Sequence, residues 1–289
     1  MFSKKMLMSA ISVLGLVFAL SPCIRFSGGI AMAVCDDDAE FTTDFRLEDC
    51  KFKDKGVNPF FILKPGYRVV LESVDDDDLV EERSVETVLR DKKKINLDGR
   101  KIKTRVVEER AWEKNEDGEL VLVEISRNWF AICKKTNAVY YFGELSKDCD
   151  PEDTGGFDPD NESQCADTST PSTEGSWEAG KPGEGGVIAK PGLIMPGTIL
   201  LGAKYFQEIA PPDALDRGQV EEMEVDWSEN DFDFNRCIEI LDTNSAKNEC
   251  EGDDLKTYCP GIGLVQDQEL KLVGYGNGDE WEGEQEGDN

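Results

Sequence analysis

Aromatic side chains and carboxylates lie close together at two places in the chain. Trp177 and Glu178 stand between glycines, and Tyr205, Phe206 and Glu208 follow within one predicted strand. Pockets lined by aromatic rings with a few polar groups are typical of ligand sites, and paired carboxylates perform glycoside hydrolysis. We therefore name Trp177, Glu178, Tyr205 and Glu208 as candidate ligand-binding residues. The alternative is structural: Trp177 fills the open end of a sheet while Glu178 caps a turn.

The sequence contains no histidine, and this absence limits the chemistry that the chain can perform. It excludes Ser-His-Asp and Cys-His nucleophile pairs and the commonest neutral metal ligand. Neither the GxSxG nor the SxxK motif of serine nucleophiles is present. An enzyme built from this chain would have to use carboxylates, lysine, tyrosine or a hard metal ion. We name no catalytic residue, and a non-enzymatic role is favoured.

Acidic residues cluster in several stretches, of which the one from Asp148 to Glu162 is a candidate metal site. Within it Asp153, Asp158, Asp160 and Glu162 offer oxygen donors, which calcium binds in groups of about six to eight. The stretch lacks the glycine and the terminal glutamate of an EF-hand loop. A solvated acidic loop is therefore the expected state, with weak calcium binding as the alternative. We expect no other cofactor.

The chain is strongly acidic, with 61 Asp and Glu against 32 Lys and Arg and a formal net charge of −29. Such a surface repels phosphate backbones and anionic lipid headgroups, which excludes nucleic acid as a general partner. Hydrophobic residues make up 39% of the chain, which is enough to build a core. We expect a folded protein whose partner is another protein or an apolar ligand.

The first residues have the pattern of an export signal. Lys4 and Lys5 precede an uncharged apolar run from Met6 to Leu20, and residues 31–33 read Ala-Met-Ala, the small-x-small cleavage pattern. We predict a signal peptide over 1–33, no lipid anchor and no later membrane-spanning segment. The mature chain is therefore expected in the periplasm or secreted.

Eight cysteines follow the predicted signal peptide, an even number that favours disulfides in an oxidising compartment. They are Cys35, Cys50, Cys133, Cys149, Cys165, Cys237, Cys250 and Cys259. Sequence separation favours three pairs: Cys35–Cys50, Cys149–Cys165 and Cys237–Cys259. Cys133 and Cys250 are then left for each other. The alternative is that one or two of the eight are buried free thiols.

Residues 57–144 alternate between apolar and polar side chains with the period of two that is typical of strands. Ile102, Thr104 and Val106 are predicted to face one way, and the basic residues between them, including Arg105, the other. This is the pattern of an antiparallel sheet with one solvated face.

Tight turns separate these strands. Asp98-Gly99 and Asp117-Gly118 stand between alternating runs and predict hairpins, so that consecutive strands form a meander. The predicted fold class is all-β: a curved antiparallel meander sheet or half-open barrel of about nine or ten strands. After the signal peptide we predict an N-terminal segment 34–56, a single β domain 57–273 with an acidic loop insertion 148–172, and a disordered acidic tail 274–289.

Five short segments, taken together in this order and spacing, are distinctive. They are Asn58-Pro-Phe-Phe-Ile-Leu-Lys-Pro-Gly-Tyr-Arg-Val-Val-Leu-Glu, Thr173-Glu-Gly-Ser-Trp-Glu-Ala-Gly, Pro191-Gly-Leu-Ile-Met-Pro-Gly, Tyr205-Phe-Gln-Glu and Tyr258-Cys-Pro-Gly-Ile-Gly-Leu-Val. The set resembles a family of uncharacterised bacterial exported β-rich proteins with a periplasmic, half-barrel-like domain. The resemblance covers 57–273 and implies a curved antiparallel sheet with no established activity. Cys133, Cys259 and the acidic stretch 148–170 depart from the family's pattern.

The sequence as a whole predicts an exported non-enzymatic protein that binds an apolar ligand or a protein partner on a curved β-sheet. Two alternatives stay open: a carboxylate-based hydrolase acting outside the cytoplasm, and a structural envelope protein with weak calcium binding. The concave face of a curved sheet must be filled by side chains or by a ligand. The residues on that face therefore decide among the three.

Overall fold

The computed structural model describes residues 35, 38–75, 79–149, 175–183, 185–247, 249–278 and 281–283. The chain forms two units, Met1–Ala31 and Met32–Asn289, and every described residue belongs to the second. The predicted signal peptide over 1–33 and most of the predicted acidic insertion therefore lie outside the described residues.

The described residues are almost entirely β-structure, as the alternating pattern predicts. Two short 3-10 helices, Asp38–Glu40 and Leu47–Asp49, precede the strands. The strands are β1 (Phe52–Lys53), β2 (Gly56–Asn58), β3 (Phe61–Leu63), β4 (Arg68–Val74), β5 (Val80–Leu97), β6 (Arg100–Lys114), β7 (Leu120–Cys133), β8 (Val139–Asp148), β9 (Trp177–Glu178), β10 (Lys190–Met195), β11 (Lys204–Phe206), β12 (Glu208–Ile209), β13 (Asp216–Glu229), β14 (Phe232–Asn244), β15 (Glu249–Cys259), β16 (Gly263–Asp267), β17 (Leu270–Gly276) and β18 (Glu282–Gly283). Within the described ranges, no helix has the length and apolar character needed to cross a membrane.

One antiparallel sheet contains 16 of these strands, while β2 and β3 form a separate hairpin. Its main path runs β11-β13-β14-β15-β16-β17-β4-β5-β6-β7-β8-β10-β12. The strands β11 and β12 belong to one short segment, residues 204–209, which pairs first with β13 and then with β10. The two ends of the path, β11 and β12, are consecutive parts of this one segment. The sheet is therefore nearly closed and barrel-like. The all-β prediction is confirmed, with more strands than the sequence alone predicts.

The hairpin between β5 and β6 has the turn that its sequence predicts. Asp98 and Gly99 both have positive φ, at 50° and 78°, as a type I′ turn requires, and this turn matches the right-handed twist of the strands. Beyond the turn, Ile102, Thr104 and Val106 are buried, which confirms the face that the alternation assigned to them.

The prediction that the basic residues of β6 face solvent is wrong for Arg105, which is only 2% exposed. The register between β5 and β6 shifts between Val88 and Lys92, so backbone carbonyls at this bulge lack ladder partners. The Arg105 guanidinium donates to the carbonyls of Arg90 and Asp54, each at 2.8 Å, and pairs with the Asp54 carboxylate. A buried arginine thus replaces the missing ladder hydrogen bonds.

Three disulfides join described residues, and two of them correct the predicted pairing. Cys35 is bonded to Cys250 and Cys50 to Cys133, whereas sequence separation favoured Cys35 with Cys50. The reason lies in the sheet, because β1 pairs with the end of β7 and brings Cys50 beside Cys133. The backbone N–H of Cys35 donates to Ser245 Oγ in the turn between β14 and β15, which places Cys35 near Cys250.

The third disulfide joins Cys237 to Cys259, as predicted, with the two α-carbons 4.2 Å apart. These cysteines lie in β14 and β15, one position beyond the opposed residues Ile238 and Tyr258. The predicted hairpin therefore aligns them. Cys149 is also disulfide-bonded, and its predicted partner, Cys165, lies outside the described residues.

Both ends of the predicted β domain extend further than the sequence indicates. Residues 52–53, assigned to a separate N-terminal segment, form β1 and pair with β7. The tail predicted to be disordered from Gly274 begins inside β17, and β18 pairs with that strand. The Trp281 ring covers Gly274 so closely that an added Cβ would lie 2.4 Å from it. The boundary predicted at Gly274 is therefore too early.

Candidate functional site

Carboxylates lie side by side on one face of the barrel-like sheet. Opposed residues of neighbouring strands share a face. Glu86 in β5 lies opposite Glu109 in β6, and Glu109 lies opposite Ser126 in β7. On the other side of the molecule, Asp242 in β14 lies opposite Asp254 in β15. The register of the strands therefore brings like charges together.

This face is the interior of the sheet. Glu109 interacts electrostatically with Lys256, although β6 and β15 are separated by four strands along the path. That separation amounts to about 24 Å along the sheet surface, so the two side chains must face each other across the enclosed space. We call this surface the acidic interior. Its carboxylates among the described residues are Glu86, Glu109, Glu124, Glu144, Glu208, Asp216, Asp242, Asp254 and Asp267.

Lys256 neutralises one part of the acidic interior. Its Nζ lies 3.3 Å from Asp242 Oδ2 and 3.4 Å from Asp267 Oδ2. Burial raises the pKa of Asp242 to about 7 and that of Asp267 to about 6, while the ammonium group of Lys256 opposes both shifts. The side chains of Lys256 and Asp267 keep 24% and 26% of their surface accessible. Protein encloses these groups without packing tightly against them.

A second part of the acidic interior, the carboxylate trio, consists of Glu144, Glu208 and Asp216. Burial raises the pKa of Glu208 well above its ordinary value, and the charges of Asp216 and Glu144 and a hydrogen bond with Asp216 add to this shift. Burial and neighbouring carboxylates raise the pKa of Glu144 to about 8, although the Tyr141 hydroxyl opposes the shift. Asn244 Nδ2 donates to Asp216 Oδ1 at 2.8 Å. Near neutral pH, Glu144 and Glu208 therefore retain protons.

An aromatic column stands beside the carboxylate trio. The rings of Trp177 and Tyr141 meet edge to face at 5.3 Å, and Tyr141 stacks on Phe130 at 4.6 Å. Phe61 meets Phe130 at 5.0 Å at the far end of the column. Trp177 in β9 lies opposite Glu144 in β8, and the Tyr141 hydroxyl donates to Glu144 Oε2 at 3.0 Å. The column and the trio thus share one wall of the interior.

Among the described residues of this interior, two buried hydrogen-bond donors have no acceptor. The indole N–H of Trp177 is directed at Glu208 and lowers its pKa, but no acceptor meets the geometry of a hydrogen bond. The Tyr205 hydroxyl also has no partner, and its ring lies over Gly218, close to Asp242. Trp177 is 5% exposed and Tyr205 is 2% exposed. Because buried polar groups are almost always hydrogen-bonded, both groups are candidates for contacting a ligand.

The structure brings together three of the four predicted ligand-binding residues. Trp177, Tyr205 and Glu208 all belong to the interior, although the sequence shows only that they lie on strands. Glu178 lies on the other face of the sheet, where its carboxylate is 3.2 Å from Lys93 Nζ. Successive residues of a strand point to opposite faces, so Trp177 and Glu178 do not line the same site.

The predicted calcium ligands Asp153, Asp158, Asp160 and Glu162 lie outside the described residues. In the part of the chain that the structure describes, no three Asp, Glu or Cys side chains converge as metal ligands. The carboxylates of the acidic interior are distributed along the strands as opposed pairs. This arrangement differs from the compact oxygen cage of a calcium site.

The sequence prediction missed most of the acidic interior. Glu86 lies between Val85 and Thr87, and Glu109 between Glu108 and Arg110; charged residues in such strands are expected on a face that meets water. A stronger signal was present in β7, where a nearly continuous apolar run contains Glu124, Ser126 and Asn128. Such a run is typical of a strand buried on both faces, so its polar residues had to face an enclosed space.

No protein-family model, curated protein or solved structure matches this chain. The acidic interior is therefore the basis for assigning a function.

Proposed function

We propose that this chain is an exported, non-enzymatic binding protein that holds its ligand inside the barrel-like sheet. One observation carries the proposal: polar side chains line an enclosed face, and two of them, Lys256 and Asp267, keep 24% and 26% of their surface accessible. A purely structural core is close-packed and mostly apolar. Enclosed space with aromatic walls and a few directed polar groups is typical of a small-molecule site.

The lining favours a polar ligand over the apolar ligand that the sequence suggests. Carboxylates next to an apolar molecule would lose hydration without gaining a partner. A ligand that carries donors or positive charge would satisfy Glu144, Glu208 and the unpartnered Tyr205 hydroxyl. The partner class therefore shifts from apolar to polar, while the binding role stays the same.

A carboxylate-based hydrolase is the second candidate, and the hydrogen-bonded pair Glu208 and Asp216 is the observation that favours it. Two carboxyls that share a proton can activate water, as in aspartic proteases. Hydrogen-bonded carboxyls are too close for glycoside hydrolysis, which needs a separation of about 5 Å or more. Peptide cleavage at acidic pH that disappears in an Asp216→Asn variant would support the hydrolase. Binding ranks first because Glu208 is only 8% exposed.

The location outside the cytoplasm is part of the same proposal. Three disulfides among the described residues support it, because such bonds persist in oxidising compartments. The resemblance of five segments to exported β-rich bacterial proteins supports both this location and membership of that family. The structural envelope role with weak calcium binding depends on an acidic loop outside the described residues.

Native mass spectrometry of the exported protein tests the binding function. We expect a mass that exceeds that of the disulfide-bonded chain by one small molecule, and the excess should disappear when the same sample is denatured. The denatured sample is the control for covalent modification. If the folded protein retains no molecule, and takes up none from a concentrated small-molecule extract of the same compartment, the binding proposal is wrong.

A further inference from the structure

We infer that the carboxylate trio and the aromatic column form a binding site for an organic amine, with the ammonium group paired with Glu208. This inference rests on the proposed binding function, because it names the ligand class for the same interior. It joins three observations: carboxyl groups without a basic partner, an aromatic wall, and a buried donor without an acceptor.

The first observation is the missing counter-charge at the trio. Asp242 and Asp267 are neutralised by Lys256 at 3.3 and 3.4 Å. Among the described residues, no lysine or arginine makes an ion pair with Glu144 or Glu208, and the charged groups that act on them are further carboxylates. A bound ammonium group would supply the positive charge that Lys256 supplies elsewhere and would stabilise the ionised carboxylates.

The second observation is the aromatic wall next to these carboxylates. Ammonium groups bind favourably to the faces of tryptophan and tyrosine rings, especially where water is excluded. Trp177 and Tyr141 stand 5.3 Å apart at the trio, and Phe130 and Phe61 extend the column away from it. In this arrangement the charged end of an amine would lie at Glu208, and its apolar body would lie along the column.

The third observation is the polar atom that the protein leaves unbonded at this place. The buried indole N–H of Trp177 is aimed at Glu208 without forming a hydrogen bond. The Trp177 side of Glu208 therefore makes no hydrogen bond, and a bound ammonium group would supply a donor there. The same wall is unsuited to a bare metal ion, since calcium needs about six to eight converging oxygens.

Isothermal titration calorimetry with three probes tests the inference. The probes are octylammonium chloride, sodium octanoate, which has a similar chain and the opposite charge, and calcium chloride. We expect octylammonium to bind and octanoate to bind at least roughly tenfold more weakly, as expected when one charge-assisted contact is lost. Binding should weaken by a similar factor in Glu208→Gln, which keeps the shape and removes the charge.

Glu178→Gln is the matched control, because Glu178 lies on the other face of the sheet and pairs with Lys93. The affinity of the Glu178→Gln protein for octylammonium should equal that of the wild-type protein. The Glu208→Gln protein should also keep the wild-type melting temperature, since a neutral amide replaces a carboxyl of similar shape that is protonated near neutral pH. If it does not fold, Asp216→Asn replaces it in the same titrations.

The possible failures separate the two proposals. If octanoate binds as tightly as octylammonium, or if Glu208→Gln has no effect, the amine site is wrong and binding inside the sheet stands. If calcium displaces octylammonium and requires Glu208, the site binds metal and the inference is also overturned. If no probe binds and native mass spectrometry finds no retained molecule, the proposed function fails together with the inference.

Discussion

Glu86 on β5 lies directly opposite Glu109 on β6, and both carboxyls face the acidic interior. Like charges at opposed positions destabilise a sheet, and burial disfavours the ionised form of each group. Burial, and then the charge of Glu109, raise the pKa of Glu86 to about 8. Burial, and then the charge of Glu124, raise the pKa of Glu109. The pair is tolerated near neutral pH because it holds protons, and this links the stability of the sheet to pH.

We expect the protein to become less stable as pH rises from about 5 to about 8. Unfolded glutamates lose their protons near the ordinary pKa of 4.5, whereas folded Glu86 and Glu144 lose theirs near 8. Between these values the folded state binds more protons than the unfolded state, so a rise in pH favours unfolding. Calorimetry of the oxidised protein should give a lower melting temperature at pH 8 than at pH 5.

A Glu86→Gln variant isolates the contribution of this pair. Glu109, Asp267 and Lys256 act on Glu86, and a neutral amide removes its repulsion with the two carboxylates. The variant should be more stable than the wild type at pH 8 and less sensitive to pH. Glu116→Gln, in the exposed turn after β6, is the control and should behave like the wild type. A wild-type melting temperature that rises between pH 5 and pH 8 would contradict this account.

Replacing Arg105 should destabilise the sheet strongly. An Arg105→Met variant leaves the carbonyls of Asp54 and Arg90 without their donor and removes one of the two basic partners of the Asp54 carboxylate. Removing one partner of a buried ion pair costs about 3 kcal/mol or more. Urea unfolding measures the loss, with Lys103→Met, an exposed residue of the same strand, as the control. Equal stability of the two variants would show that the bulge does not need its arginine.

The disulfides should differ in their contribution to stability. The Cys35–Cys250 bond closes a loop with a sequence separation of 215, and the Cys237–Cys259 bond one of 22. On a chain-entropy basis the long loop contributes about 5 kcal/mol and the short loop about 3 kcal/mol. Paired Cys→Ser variants, compared by urea unfolding, should rank in that order. The reverse order would mean that local strain, not loop length, determines the effect.

Closure of the sheet should depend on Gly192. An added Cβ at this position would lie 2.0 Å from the carbonyl oxygen of Gln207, which is backbone and cannot rotate away. Gly192→Ala should therefore separate β10 from residues 204–209 and cost about 2–3 kcal/mol. Hydrogen exchange should accelerate in both segments. Gly202→Ala, where the added atom meets no neighbour within 4 Å, should cost only the backbone penalty of about 1 kcal/mol.

Local patterns predicted the strands and turns well. The positions of Ile102, Thr104 and Val106 follow from alternation alone, and Asp98 with Gly99 specifies its hairpin because few residues accept positive φ. Arg105 could not be placed this way. Its burial depends on a bulge in the neighbouring strand, which no local pattern of β6 reveals.

The site was harder to predict because closure of the sheet decides which polar face meets water. Trp177, Tyr205 and Glu208 could be named from their residue types, but Glu86 and Glu109 look like solvent-facing strand residues until the sheet closes. Closure depends on residues 204–209 pairing with strands distant in sequence. Such contacts are set by the whole chain, so Glu86 and Glu109 carry no local signal of their burial.

The disulfide between Cys35 and Cys250 cannot form until the chain has been synthesised as far as Cys250. A chain oxidised in the order of its synthesis would first join Cys35 to Cys50, a bond that the folded protein does not contain. Such an early bond must later be exchanged, through attack by another thiolate. A disulfide isomerase or a reducing partner would accelerate that exchange. A nascent chain stopped short of Cys250 keeps a reactive thiol that quality-control proteins can capture.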